Sequence, residues 1–147
     1  MTEEPLPYGH PERAPSHLWL VGLLLVLWNG WGIALAIAAQ TDRLPFITPQ
    51  ASAYFGTQPL WFVLFADISP LAGMAGAVAI LLQSRWAPWF FVAQGAILAA
   101  ANVFELAAGK SLLWTTPESR LPTLVLFLLI FGEYLYARVM TRRGVLY

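Results

Sequence analysis

Four long apolar blocks, separated by short polar stretches, dominate the pattern of this chain. The blocks cover residues 18–39, 60–83, 86–108 and 121–140. Each holds roughly 20 residues, which at about 1.5 Å per residue is enough to cross the hydrocarbon core of a bilayer. Consecutive spans alternate in direction, so four of them place both ends of the chain on one side. The pattern predicts an all-α integral membrane four-helix bundle with antiparallel, up-down topology.

The first block also resembles a secretory signal, because Ala34-Leu35-Ala36 and Ala36-Ile37-Ala38 look like cleavage sites. A secretory signal begins with a basic segment, followed by an apolar run of about 7 to 15 residues. Here the preceding segment is acidic and the apolar run is longer. We therefore interpret residues 18–39 as the first membrane span.

The composition along the chain divides it into three parts. Residues 1–16 hold four prolines and three glutamates, which predict a disordered tail because such a segment buries too little apolar surface to offset its ordering entropy. Residues 17–141 form the predicted membrane domain, and residues 142–147 a second short tail.

The connections between the blocks carry two kinds of signal. Gln83-Ser84-Arg85 is short enough to make a tight helical hairpin of the second and third blocks. Thr48-Pro49 and Thr116-Pro117 are helix-start signals, since threonine caps a helix and proline suits its first position. The first of them predicts a short interfacial helix from Pro49 to Phe55 in the first outer loop.

The charged residues are few, and their distribution predicts the orientation. Only 11% of residues are charged and 59% are hydrophobic, against about 25% charged in soluble domains. Five basic residues lie on the side of the chain ends and three on the other side, so both termini are predicted to be cytoplasmic. The five are Arg13, Arg85, Arg138, Arg142 and Arg143, and the three are Arg43, Lys110 and Arg120.

The chain lacks the residues that most cofactor and enzyme chemistry needs. It has no cysteine, and its two histidines, His10 and His17, lie at or before the start of the first span. No histidine pair is therefore available inside the membrane for haem or a metal. No phosphate loop, GxSxG or HExxH motif occurs. We expect no enzyme, no catalytic residue and no cofactor. The expected partners are the lipid bilayer and a second copy or another membrane protein, with no nucleic acid.

Polar residues within the blocks are the candidate site residues, because a charge in mid-membrane costs roughly 2.5 to 3.5 kcal/mol and usually faces protein or water. Gln94, Asn102 and Glu105 fall within about an 80° sector of the third helix. This inward stripe could bond to Asn29 or Asp67. We predict a polar site of Asp67, Asn102, Glu105 and Asn29. Such a stripe serves either as interhelical glue or as a hydrated pathway.

Asp67 is followed by Pro70, which removes a backbone hydrogen bond and bends the helix beside the carboxyl group. A carboxyl group beside a bend favours a site of proton or cation exchange. The alternative is a structural ion pair between Asp67 and Arg43 in the first outer loop.

A second polar group is predicted on the inner side. Glu133 lies at a depth similar to that of Gln94, so these two residues could bond, or the carboxyl group could reach Arg85 at the hairpin. We expect a structural role for this contact.

Small residues mark the close contacts between helices. They are Gly22, Gly32 and Ala36 on the face of the first helix that carries Asn29, and Ala72, Gly73, Gly76 and Ala77 on the second. Such small-xxx-small patterns allow close packing within one chain or between two copies.

Several short segments carry a family resemblance. They are Leu27-Trp28-Asn29 with Gly32, Gln40-Thr41, Thr48-Pro49 with Ala53-Tyr54-Phe55, Arg85-Trp86-Ala87, and Tyr136-Ala137-Arg138 with Gly144-Val145-Leu146. Together they resemble an uncharacterised bacterial family of small four-span inner-membrane proteins, some of which are labelled "sugar transporter". The resemblance implies four spans and a bacterial inner (plasma) membrane. The family has an acidic-aromatic pair where Leu35-Ala36 stand here, so Asp67 could be a compensating acid.

Two functions remain open from the sequence. The first is a non-enzymatic accessory or structural membrane subunit, in which polar residues hold the bundle together. The second is a proton-coupled carrier or channel component for a small solute, acting as a homo-oligomer because four helices leave little room for an aqueous path.

Overall fold

A computed structural model of the protein describes residues 14–40, 58–108 and 117–147, and these ranges contain four helices and no strand. Helix α1 is Ser16–Gln40, α2 is Leu60–Leu81, α3 is Ala87–Ala107 and α4 is Pro117–Arg142. Each contains a stretch long and apolar enough to span a membrane, and in α4 this stretch begins at Thr123. For the described residues, the predicted all-α fold of four helices, each long and apolar enough to span a membrane, is confirmed.

The outer surfaces of the helices are apolar, as a lipid solvent requires. Only 11% of the spanning stretch of α1 and 33% of that of α2 are buried inside the protein. Large side chains such as Leu20, Leu27 and Leu128 are exposed. Exposing such a surface to water costs about 25 cal/mol per Å², whereas lipid tails accept it freely. The helices therefore belong in a bilayer, as those of a multi-pass membrane protein.

The helix boundaries follow local signals in the sequence. Helix α4 begins at Pro117, as the second helix-start signal predicts, and thus four residues before the apolar block. The predicted interfacial helix from Pro49 to Phe55 lies outside the described residues, as do Arg43 and the first 13 residues.

Helix α2 is the centre of the packing. It packs against α1 and α3, and α3 packs in turn against α4. Two glycines show how close these contacts are: a Cβ atom at Gly76 would lie 2.8 Å from the Phe91 ring, and one at Gly22 would overlap the side chain of Leu81. These small residues serve contacts within one chain. Helices α1 and α4 approach each other much less closely, which leaves a cleft between them.

The connection between α2 and α3 is a tight turn with a left-handed residue. Gln83 has a φ of 55°, a left-handed conformation that glycine adopts most often. The N–H of Ser84 donates to the carbonyl of Ala79 at 2.8 Å, and that of Gln83 donates to Ile80 at 2.9 Å. These bonds satisfy carbonyls that the end of α2 would otherwise leave open.

Residues 145–147 return to this turn rather than extending away from the protein. The N–H of Tyr147 donates to the carbonyl of Gln83 at 2.8 Å, and the N–H of Arg85 donates to the carbonyl of Tyr147 at 3.2 Å. Val145 and Leu146 are buried in a core cluster that includes Leu18, Phe91 and Met140. The segment predicted as a short tail thus closes one end of the bundle.

Candidate functional site

The four helices are joined near the middle of the bundle by a set of buried polar side chains. Asn29 lies 13 residues after the start of α1 and 11 before its end. Asn29 faces Gly73 of α2. A Cβ atom at Gly73 would overlap Asn29 Oδ1 and lie 2.6 Å from Gln94 Nε2. The missing side chain at Gly73 therefore makes the space in which the two amides meet.

Asn29 bonds to two other helices. Its Nδ2 donates to Glu133 Oε1 on α4 at 3.2 Å, and also to the carbonyl of Leu25 at 3.0 Å. Its Oδ1 accepts a hydrogen bond of 2.9 Å from Gln94 Nε2 on α3. Helix α2 is connected to the same residues through Ser69, whose Oγ donates to the backbone carbonyl of Gln94 at 3.1 Å. We call Asn29, Ser69, Gln94 and Glu133 the central network.

All four residues of the central network are removed from the surface. Asn29 is 2% exposed, Gln94 3%, and Ser69 and Glu133 5% each. Hydrogen bonds in such surroundings face no competition from water, and an amide left without a partner there is costly. The network therefore fixes the depth and rotation of α1 relative to α3 and α4.

The central network does not use all of its acceptor atoms. Gln94 Oε1 and Glu133 Oε2 are buried and accept no hydrogen bond within the described parts of the chain. Glu133 also lines the cleft between α1 and α4, which has a volume of about 370 Å³. The other lining residues are Val21, Leu24, Leu25, Trp28, Leu128, Leu129, Gly132 and Tyr136. Chemically, the cleft is an apolar groove with two polar residues, Glu133 and Tyr136, in its wall.

The structure groups the predicted site residues differently from the sequence analysis. Asn29, predicted in one site with Asp67, joins the inner pair: it bonds to Gln94, one of the two partners that the stripe on α3 allows, and it connects Gln94 to Glu133. The physical reason is depth: Asn29 lies near the middle of α1, whereas Asp67 lies seven residues after the start of α2. Among the described residues, Arg85 forms no ion pair with Glu133. Its backbone N–H donates to the carbonyl of Tyr147 beside the turn.

The predicted outer residues are only partly brought together. Asp67 accepts a hydrogen bond from Gln40 Nε2, which links the end of α1 to α2. Asn102 donates to the carbonyl of Leu98 on its own helix at 2.8 Å. Asn102 and Glu105 are buried like Gln94, so the polar stripe of α3 faces the interior of the protein.

Sequence reasoning missed Ser69 as a member of the network and Tyr136 as a wall of the cleft. A signal for Ser69 exists, because Ser69, Gly73 and Gly76 follow the i, i+4, i+7 spacing of one helix face. No signal of that kind distinguishes Tyr136 from ordinary aromatic residues near a membrane boundary.

The described residues contain no group of three or more His, Cys, Asp or Glu side chains that could hold a metal ion. No match to the chain was found among protein-family models, curated proteins or solved structures.

Proposed function

We propose that this protein is a non-enzymatic, multi-pass membrane subunit, in which buried polar residues hold four helices in one arrangement. The observation that carries the proposal is the side chain of Asn29, whose two polar atoms are both engaged in bonds to other helices. Groups committed to each other in this way act as interhelical glue.

The proposed subunit has the up-down topology of a simple bundle. Contacts between the ends of different helices support this arrangement: His17 packs edge-on against Tyr136 at 6.2 Å, and Trp61 against Phe104 at 5.1 Å. The bond from Gln40 to Asp67 joins the end of α1 to the first part of α2. Each contact brings together the residues expected when neighbouring helices run in opposite directions.

The proposed location is a bacterial inner membrane with both termini in the cytoplasm. The family resemblance supports the membrane, and the basic residues support the orientation. Arg138, Arg142 and Arg143 lie in or just after the last turns of α4, at the end of the bundle that also carries Arg85. The working partner is a second copy or another membrane protein.

Asn29→Leu tests the structural role of the network. It removes three hydrogen bonds and leaves the Gln94 amide and the Glu133 carboxyl group buried with fewer partners. Interhelical hydrogen bonds average about 0.6 kcal/mol in membranes, and an unsatisfied buried group costs about 1 to 3 kcal/mol. We expect unfolding in mixed micelles to require about 1 to 3 kcal/mol less than for the wild type, while Leu27→Ala, a change at an exposed neighbour, has little effect.

A flux measurement on the wild-type protein in proteoliposomes tests whether the protein transports protons. We expect proton flux, measured with a pH-sensitive dye under an imposed potential, to equal that of empty vesicles. Flux well above that level would contradict the proposal.

A second candidate is a proton-coupled carrier or channel component acting as a homo-oligomer. The observation that favours it is the Asp67 carboxyl group, bonded to Gln40 and placed three residues before Pro70 inside α2. This function requires pH-dependent flux that both Asp67→Asn and Glu105→Gln abolish, and a particle larger than one chain by light scattering.

A further inference from the structure

The cleft between α1 and α4 combines an apolar lining with one strongly polar atom. Leucine side chains from both helices and Trp28 form most of its walls, and Glu133 and Tyr136 are the polar residues among them. Leu24, Trp28 and Leu128 are exposed on the outside of the bundle, so the cleft adjoins the lipid. A volume of about 370 Å³ is sufficient for a small organic molecule.

Glu133 is only half satisfied. Its Oε1 accepts the bond from Asn29, whereas its Oε2 has no hydrogen-bond partner among the residues that the structure describes. Carboxyl groups buried to this extent are normally paired with a donor or a cation. The nearby Arg138 is engaged elsewhere, since Nη1 donates to the Tyr134 hydroxyl and the guanidinium lies over that ring.

Two aromatic residues favour a cation as the missing partner. The Tyr136 hydroxyl is buried without a hydrogen-bond partner in the described residues, and Tyr136 lines the same cleft. Trp28 lies on the opposite wall, and indole rings attract cations. An ammonium group has several N–H donors and could serve both Glu133 Oε2 and the Tyr136 oxygen.

The depth of Glu133 limits the source of such a ligand. Glu133 lies ten residues after the start and nine before the end of its spanning stretch, Thr123–Arg142, which places it about 14 to 15 Å from either end. The headgroups of phospholipids lie at the membrane surface. Because the cleft adjoins the lipid at Leu24, Trp28 and Leu128, a ligand that is soluble in the hydrocarbon can enter it from the membrane.

We propose that the cleft between α1 and α4 binds a lipophilic primary amine that enters from the membrane. Its ammonium group donates to Glu133 Oε2, and its apolar chain lies along the leucines of both walls. This inference goes beyond the structural role of the network, because it gives the protein a binding activity. It also assigns the two carboxyl oxygens of Glu133 different tasks, one toward Asn29 and one toward the ligand.

The test measures binding of radiolabelled octylamine to the full chain in phosphatidylcholine nanodiscs, corrected for uptake by empty nanodiscs. We expect saturable binding at one site per chain, and 1-octanol of the same chain length should not compete. Glu133→Gln should weaken binding at least tenfold, since an amide NH₂ replaces the acceptor oxygen while the remaining oxygen can still accept from Asn29. Absence of saturable binding, or equal competition by octanol, would overturn the proposal.

A second pair of variants keeps the test valid if Glu133→Gln destabilises the protein. Gly132 lines the cleft and has open space around its Cβ position, so Gly132→Leu should fill the cleft and abolish binding without lowering the melting temperature. Ala93→Leu, at an exposed position of α3, is the matched control and should bind normally. Normal octylamine binding by Gly132→Leu would refute the location.

A competition experiment with a phospholipid distinguishes two sources of the ammonium group, a free amine and a lipid headgroup. Phosphatidylethanolamine carries a primary ammonium in its headgroup, and it is added to the nanodiscs in place of part of the phosphatidylcholine. We expect no competition with octylamine, because the site is deep in the membrane. Competition that depends on Glu133 would overturn the free amine as the ligand and assign the site to a lipid headgroup.

Discussion

Gly73→Ala probes the centre of the bundle with the smallest possible change. The added methyl group would overlap Asn29 Oδ1 and lie 2.6 Å from both Cδ and Nε2 of Gln94, whereas carbon atoms pack comfortably at about 3.5 to 4.0 Å. One of the two amides must therefore move by about 1 Å, which breaks the 2.9 Å hydrogen bond between them.

The magnitude follows from three contributions. Overpacking costs about 1 to 3 kcal/mol, the lost interhelical bond adds about 0.6 kcal/mol, and alanine regains about 0.5 to 1 kcal/mol over glycine inside a helix. We expect a net loss of about 1 to 3 kcal/mol in the free energy of unfolding. The assay is titration with sodium dodecyl sulfate in mixed micelles, with helicity followed by circular dichroism.

Gly132→Ala is the matched control, because no atom lies within 4 Å of a Cβ atom built there. It should be neutral or stabilise the protein by up to about 1 kcal/mol. The double variant of Gly73→Ala and Asn29→Ala should lose less than the sum of the two single changes, since the obstructing side chain is gone. If Gly73→Ala proves as stable as Gly132→Ala, the close contact at the network is refuted.

Two further predictions concern the end of the bundle near the turn. Gln83→Gly should stabilise the protein by about 1 kcal/mol, because the left-handed conformation at φ 55° penalises every residue with a Cβ atom, and Gln83→Ala should give no such gain in the same titration. Leu146→Ala should lower the free energy of unfolding by about 2 kcal/mol or more, since Leu146 is 3% exposed, whereas Tyr147→Ala, at 73% exposed, should change it little; equal losses would show that residues 145–147 do not close the bundle.

The sequence predicted the helices well because each span is determined locally. Length and apolar composition are sufficient to identify a helix that crosses a membrane, and Pro117 marks a helix start by its own geometry. The inward direction of the stripe on α3 could also be predicted, because Gln94, Asn102 and Glu105 share one face of a single helix.

The partners of the polar residues could not be predicted in the same way. The bond between Asn29 and Glu133 depends on the relative rotation of α1 and α4, which local sequence does not encode. A count of depth along each helix would have moved Asn29 from the outer group to the inner one. The burial of Val145 and Leu146 was also missed, because a short segment after a helix looks the same in sequence whether it extends into water or turns back.

The reliance of the network on residues from all four helices has a consequence for biogenesis. While only α1 and α2 have been inserted, the amide of Asn29 lacks Gln94 and Glu133, its partners on the later helices, and an unsatisfied polar group is unfavourable in hydrocarbon. The incomplete chain is therefore less well satisfied in the membrane than the complete one. The amide gains both interhelical hydrogen bonds only when α3 and α4 have been inserted.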